Sequence, residues 1–353
     1  MKALGRPHFI VVIGVCLGLF SLVSTLSASS TDASKRAVER ASDMFKAGDA
    51  DGAIAVLTKG AEHAPPSAEA YRLLGQIYFK GKKKPHEAAE ALNHALKLKP
   101  AYPDALNDLA EVYLAQGKTA EAEQALKRAI DLDPQHEDSY EDLAKLYESR
   151  HDVSASMKTY KSLLAIRPTH PDALFGLAML YEKQGDNKAA HDMLERLTKS
   201  NPKHADAWYQ VGRLAERGND LIEAAYAYRQ AIAAKPDLVD AHYNLGFIMR
   251  SQNKPGEAEK EFLEVIRYRP EYAEAHMNLG VIYTSMNKLE DAEQEYEKAV
   301  ELKPDYAEAH YNLGVFYELH RKDMPRALAQ YHKYRNLGGR DDRVERIIGS
   351  SGR

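Results

Sequence analysis

Apolar and polar positions alternate regularly along most of the chain, and residues 273–306 show the pattern most plainly. In AEAHMNLGVIYTSMNKLEDAEQEYEKAVELKPDY, His276, Leu279, Gly280 and Tyr283 fall at i, i+3, i+4 and i+7, one face of a helix. Ala292, Tyr296 and Ala299 continue at i, i+4 and i+7 on a second helix. Asn287, between them, suits a left-handed residue that ends the first helix. Pro304 ends the second, because proline lacks a backbone donor and disfavours helix in the residue before it. Small Gly280 and Ala292 let the two helices approach closely. Two such short helices cannot bury their apolar faces alone. The pattern therefore predicts a helical hairpin that stacks on copies of itself.

The prolines count the copies. Pro100, Pro134, Pro168, Pro202, Pro236, Pro270 and Pro304 lie 34 residues apart. Nine units follow, at about 34–67, 68–102, 103–136, 137–170, 171–204, 205–238, 239–272, 273–306 and 307–341. Units two and nine are one residue longer. Their insertions are expected in the turns between helices, at Lys82 to Pro85 and Lys322 to Pro325. Gly48, Gly117, Gly185, Asn219, Asn253 and Asn287 share one place in the unit. Glycine and asparagine are the residues that readily take the left-handed conformation there. Pro85, Pro255 and Pro325 lie near the start of second helices, where the missing donor has no partner to lose. After unit nine, residues 342–348 predict a short closing helix, with Val344, Ile347 and Ile348 over the last open apolar face and residues 342–353 forming a cap and tail.

A 34-residue helical hairpin with Leu-Gly-x-x-Tyr, a later alanine and a closing proline resembles the tetratricopeptide repeat. The resemblance spans roughly residues 34–341. It implies an all-α fold, a right-handed superhelical solenoid of about nine helix-turn-helix repeats with an extended concave groove. In such proteins the first helix of each unit lines the groove. Carried onto this chain, the fifth and ninth positions of the later units are Phe175 and Met179, Tyr209 and Arg213, Tyr243 and Phe247, Met277 and Val281, and Tyr311 and Val315. The earlier units hold polar residues there: Arg72 and Gln76, Asn107 and Glu111, Glu141 and Lys145. The groove is thus expected to be polar at one end and apolar at the other. The alternative is that these side chains only pack between neighbouring first helices.

The sixth position carries Asn244, Asn278 and Asn312 in three successive units, with Gln210 one unit earlier and Asp142 and Asp108 further back. An amide offers both donor and acceptor, so it can pair with an extended peptide backbone without reading its sequence. Here the later repeats resemble those of O-linked N-acetylglucosamine transferase, whose asparagine ladder holds substrate peptides. The residues after them are expected to form a cap and tail and not a catalytic domain. The resemblance implies a peptide-binding groove made of Asn244, Asn278, Asn312 and Gln210 with Tyr209, Tyr243, Phe247, Met277 and Tyr311.

Composition adds limits. The 48 basic and 52 acidic residues give a net charge of −4, which does not suit a general nucleic-acid binder. Residues 1–28 begin with Lys2 and Arg6, continue through an apolar run from Phe9 to Leu26, and end in small residues. This is the pattern of a secretory signal peptide, with an uncleaved membrane tether through residues 9–26 as its rival. A polar linker, 29–33, leads into the repeats. Both readings place the repeats outside the cytoplasm, in the periplasm or anchored to the inner membrane. Cys16 is the single cysteine and lies in that leader, so no disulfide or thiolate metal site is expected beyond it.

His242, His276 and His310 recur at the fourth position, where Trp208 also stands. One histidine per unit is poor metal spacing, and packing is the expected role. Acids at the second position, such as Asp240 and Glu274, suit the positive end of a helix. Lys80 to Lys84 reads as a solvated basic turn. No nucleophile elbow, phosphate loop or zinc motif occurs. The expectation is a non-enzymatic scaffold of the cell envelope without a cofactor, binding a protein or extended peptide. The alternative is an accessory or targeting subunit of an envelope glycosyltransferase or other enzyme.

Overall fold

The computed structural model describes residues 32–59 and 67–351; the expected leader lies outside them. Every described element is helical, and no helix among them is long and apolar enough to cross a membrane. The chain divides into two compact units, Met1–Ala173 and Leu174–Arg353. In the first, α1 (32–46) and α2 (Ala50–Lys59) pair. They are followed by α3 (Ala68–Gln76) with α4 (Pro85–Leu98), α5 (Pro103–Ala115) with α6 (Thr119–Leu132), and α7 (Glu137–Ser149) with α8 (Val153–Ile166). The division falls at the start of α9 (Pro171–Lys183), which precedes α10 (Asn187–Ser200). The second unit continues with α11 (Ala205–Arg217) and α12 (Leu221–Ala234), α13 (Val239–Ser251) and α14 (Pro255–Tyr268), and α15 (Ala273–Ser285) and α16 (Leu289–Leu302). It closes with α17 (Ala307–Phe316), α18 (Met324–Asn336) and α19 (Asp342–Ser351).

Local chemistry sets these boundaries. Asp152, Asp186, Asp220 and Asp323 each accept the backbone N–H three residues on, at 3.0 Å, and so cap α8, α10, α12 and α18. The six expected turn residues all have positive φ, between +57° and +89°. Lys83, His151 and Lys322 take the same conformation although they carry a Cβ. The hairpin geometry imposes it on whatever residue stands at that place.

The two longer units depart from expectation. Their extra residue is not added to the turn. It is absorbed upstream, where the ends of α3 and α17 continue as π-helical turns at Ile77–Gly81 and Tyr317–Arg321. Each turn keeps an apolar side chain in the core, Ile77 fully buried and Tyr317 nearly so. A wider turn thus preserves both the inward face and the left-handed exit.

Within each later hairpin, a glycine on the first helix receives a ring from the second. A Cβ built on Gly280 would stand 2.6 Å from the Tyr296 ring, and one on Gly314 2.6 Å from Tyr331. Tyr228 and Tyr331 are completely buried, and their hydroxyls donate to Glu216 at 2.7 Å and Glu318 at 2.5 Å. Burial first, then these carboxylates, hold both phenols well above the usual tyrosine range. Overpacking a tight core costs about 1–3 kcal/mol, so Gly280→Ala is expected to lower the unfolding free energy by about that amount in a denaturant titration. At the C-terminal end, Val344 is buried in the cluster formed by Phe316, Tyr317 and Tyr331, and Arg343 donates to Glu318 at 2.7 Å.

Candidate binding surface of the second unit

The sequence-predicted residues come together on one face of the second unit, along α11, α13, α15 and α17. Helical spacing places the fifth, sixth and ninth positions of each first helix on that face. Each sixth-position asparagine reaches back to the preceding first helix or hairpin. Asn278 Nδ2 donates to the Tyr243 hydroxyl at 3.3 Å, and Asn312 Nδ2 to Met277 Sδ at 3.4 Å. Asn244 Nδ2 donates to the Tyr228 hydroxyl at 3.2 Å. Gln210 instead accepts from Arg213 on its own helix, at 3.0 Å.

The three asparagines are not equivalent. Asn278 is 1% exposed. It also donates to the Glu274 carbonyl at 2.7 Å, and its Oδ1 accepts from Arg250. Its amide is spent inside the protein. Asn244 and Asn312 are half-buried; Asn244 also meets the Tyr209 phenol, and Asn312 makes only its long contact with Met277. These two amides are the ones left to meet a peptide backbone.

The aromatic stripe shows the same division. Met277 is buried. Tyr209, Tyr243 and Tyr311 are half-buried and lean on neighbouring rings: Tyr209 on the buried Tyr228 at 5.8 Å, Tyr243 on half-buried Tyr272 at 5.3 Å, and Tyr311 on half-buried Tyr334 at 5.2 Å. Burial raises the Tyr209 and Tyr243 phenols above their usual range. Phe247 alone projects, 42% exposed. Packing between first helices thus accounts for much of the stripe, and Phe247 with the rims of the three tyrosines forms its accessible part.

In the first unit the corresponding positions are closed on themselves. Arg72 and Gln76 both hold Asp108, at 2.5 and 2.9 Å, Asn107 donates to Asp142 at 2.9 Å, and Lys145 pairs with Glu141. Lys80, Lys82 and Lys84 pair with Glu111, Asp51 and Glu87. Glu141, His170 and Asp172 bring three ligand atoms within 4.8 Å. However, His170 Nδ1 accepts from the Ala173 N–H, so its Nε2 carries a proton toward Glu141, 3.5 Å away. Neither ring lone pair is then available to an ion.

The fourth-position rings do more than pack. Each donates across the loop to the carbonyl of the proline six residues upstream: Trp208 to Pro202 at 2.9 Å, His242 to Pro236 at 3.0 Å, and His276 and His310 to Pro270 and Pro304 at 2.9 Å. The second nitrogen of His242 faces Glu261 at 2.6 Å, and that of His276 faces Glu295 at 2.6 Å. A carbonyl and a carboxylate only accept, so this pair of partners favours the charged ring. Burial alone pulls their pKa down, but the carboxylate and carbonyl outweigh it and the net shift is upward. His310 has the Gln330 amide in place of the carboxylate, at 2.7 Å.

One feature lies outside the predicted residues. A cleft of about 470 Å³ on α10, α11 and α12 is lined by His191, Glu195, Lys199, Trp208, Glu223 and Tyr226. Its acids are matched, Glu195 by Lys199 and Glu223 by His191, each at 2.8 Å. The signal for it in the sequence is the only tryptophan, together with Ile222 and Tyr226 one turn apart, which are 83% and 55% exposed.

Three tetratricopeptide repeat models match the chain. One matches residues 38–103 and 175–239, a second 81–147 and 114–165, and a third 282–320; together they cover more than half of it. The chain belongs to the tetratricopeptide repeat family. Members of this family are typically non-catalytic protein-interaction modules. Solved structures share the repeat's fold. The C-terminal part of a repeat protein from Cytophaga hutchinsonii is 17% identical, with a TM-score of 0.57 over 69% of this chain and 99% of that one. PilF of Pseudomonas aeruginosa is 20% identical, with a TM-score of 0.52 over 59% and 94%. YrrB, described as a repeat protein with an unusual peptide-binding site, is 22% identical, with a TM-score of 0.48 over 53% and 96%. No curated protein matches the sequence significantly.

Proposed function

We propose that the protein is a non-catalytic scaffold of the cell envelope whose second unit binds an extended segment of a partner protein along α11, α13, α15 and α17. One observation carries this reading. The exposed Phe247 ring shares this face with two half-buried amides, Asn244 and Asn312, whose donor contacts are long, at 3.2 and 3.4 Å. Rigid helices hold all three, so a segment binding there orders few protein side chains, which favours affinity. An apolar anchor provides contact energy, and the amides pair with backbone, as in the transferase repeats that the sequence resembles. The envelope assignment rests on the basic, then apolar, then small-residue pattern of residues 1–28. N-terminal sequencing of the protein from cells decides whether that leader is cleaved or kept as a tether.

The test is crosslinking and pull-down from the native membrane fraction with the whole chain. The combined variant Asn244→Ala, Phe247→Ala and Asn312→Ala is expected to recover about tenfold less partner while its helical circular dichroism is unchanged. Unchanged recovery with the folded variant overturns the reading. The class of partner recovered separates the two roles: an assembly or secretion machine marks a scaffold, and a transferase marks an accessory subunit.

A further inference from the structure

The same face carries an unmatched charge. Arg250 lies on α13, three residues after Phe247. Its guanidinium sits over the Phe247 ring, 4.8 Å from the centroid, and one N–H donates to Asn278 Oδ1. Among the described residues no carboxylate forms an ion pair with it, although Glu274 and Glu308 act on the same Tyr243 and Tyr306 phenols as it does. Other arginines of this unit do have such partners: Arg217 has Glu182 at 2.8 Å, Arg229 has Glu257 at 3.1 Å, and Arg321 has Glu293 at 2.7 Å. Glu274, in the first turn of the helix that carries Asn278, is held by Lys303 at 2.7 Å.

A guanidinium has five N–H donors, and the amide oxygen uses one. Asn278 is buried and fixed by two further bonds of its own, to Glu274 and Tyr243, so it cannot follow the arginine elsewhere. The cation is therefore held beside an exposed ring, half-buried, with most of its fork unfilled. Planar, bidentate pairing with a carboxylate is the interaction such a group makes best. The chain as a whole is acidic, at −4, so attraction for an acidic ligand has to be local.

We propose that Arg250 anchors a carboxylate of the bound segment, so that this face recognises an acidic peptide. An Asp or Glu side chain pairs with Arg250, and a neighbouring apolar residue lies against Phe247 and Tyr243. The inference rests on the peptide-binding reading above and adds the chemistry of the partner.

The test is an array of acetylated, amidated octapeptides probed with the whole chain. A fixed Leu-Tyr pair precedes one variable position that carries Asp, Glu, Asn, Gln, Lys or phosphoserine, and the remaining positions are randomised. Peptides with Asp or Glu are expected to bind about tenfold more strongly than those with Asn or Gln, an advantage that shrinks as salt is added. Arg250→Gln is expected to erase that preference while the apolar binding persists. Arg250→Lys keeps the charge but loses the fork, and is expected to retain only part of the preference. Equal binding of Asp and Asn peptides overturns the inference, and so does a preference that survives Arg250→Gln. Selection of phosphoserine without Asp or Glu overturns the carboxylate assignment. Peptide binding without acidic preference leaves the groove standing and removes only this inference, whereas failure of every peptide to bind removes both. Should Arg250→Gln unfold, Arg250→Lys carries the same comparison.

Discussion

Replacing Asn278 with alanine is expected to lower the unfolding free energy by about 2 kcal/mol, whereas Asn244→Ala and Asn312→Ala each cost about 0.5–1 kcal/mol. The three residues sit at the same position of successive repeats, inside the same His-x-Asn-Leu-Gly string. Their surroundings separate them. Asn278 is 1% exposed and joins Tyr243, Arg250 and the Glu274 carbonyl. Removing it cancels three bonds and leaves a half-buried guanidinium without its acceptor. Asn244 gives up a weak donor contact at 3.2 Å to the Tyr228 hydroxyl and its contact with the Tyr209 phenol, and Asn312 a weak one at 3.4 Å to sulfur. Urea titrations of the three single variants measure the difference directly. Equal losses for all three contradict the assignment of Asn278 to structure and of the other two to binding.

The second large effect concerns the buried histidines His242 and His276. His276→Ala is expected to cost about 2–4 kcal/mol, because it cancels a charge-assisted bond and strands both Glu295 and the Pro270 carbonyl. The wild type should also lose stability as pH rises. The folded-state pKa values of His242 and His276 lie above the ordinary histidine value. Their stabilisation is therefore complete below about pH 6.5, the unfolded value, and disappears as pH climbs through the folded-state values. Glu261→Gln combined with Glu295→Gln removes the carboxylates that favour the charged rings. Unfolding free energies measured from pH 6 to pH 9 should fall less steeply for that variant than for the wild type. Parallel curves contradict the charged assignment.

Residues with a strictly local backbone demand could be read from the sequence. The 34-residue proline spacing and the glycine or asparagine of six turns follow from what a single residue does to φ, and the structure places all six turn residues at positive φ. Lys83, His151 and Lys322 occupy the same place with no local preference for it, so only the hairpin reveals them. The extra residue of the longer units was legible as a length but not as a location. A chain gains the same length from a wider helical turn as from a longer loop, and buried Ile77 and Tyr317 favour the former.

The candidate site was legible in part for a related reason. Position within the repeat says which face a residue occupies. It does not say what stands opposite in the next unit. Asn278 differs from its two counterparts because Arg250 precedes it by one repeat. The residues equivalent to Arg250 are Glu216, which binds Tyr228, and Thr284, which contacts Tyr296. The fourth-position histidines likewise look like simple packing until Glu261 and Glu295, nineteen residues on, are seen to face them.

The central claim is that the face of α11, α13, α15 and α17 receives the partner. A photo-crosslinking amino acid placed at Phe247, and in a second protein at Tyr226 in the cleft on α10 to α12, tests it most directly. Both side chains are exposed, so neither substitution opens the core. The account predicts that partner peptides are captured from position 247 and not from position 226. Capture from position 226 alone, or equally from both, would contradict it.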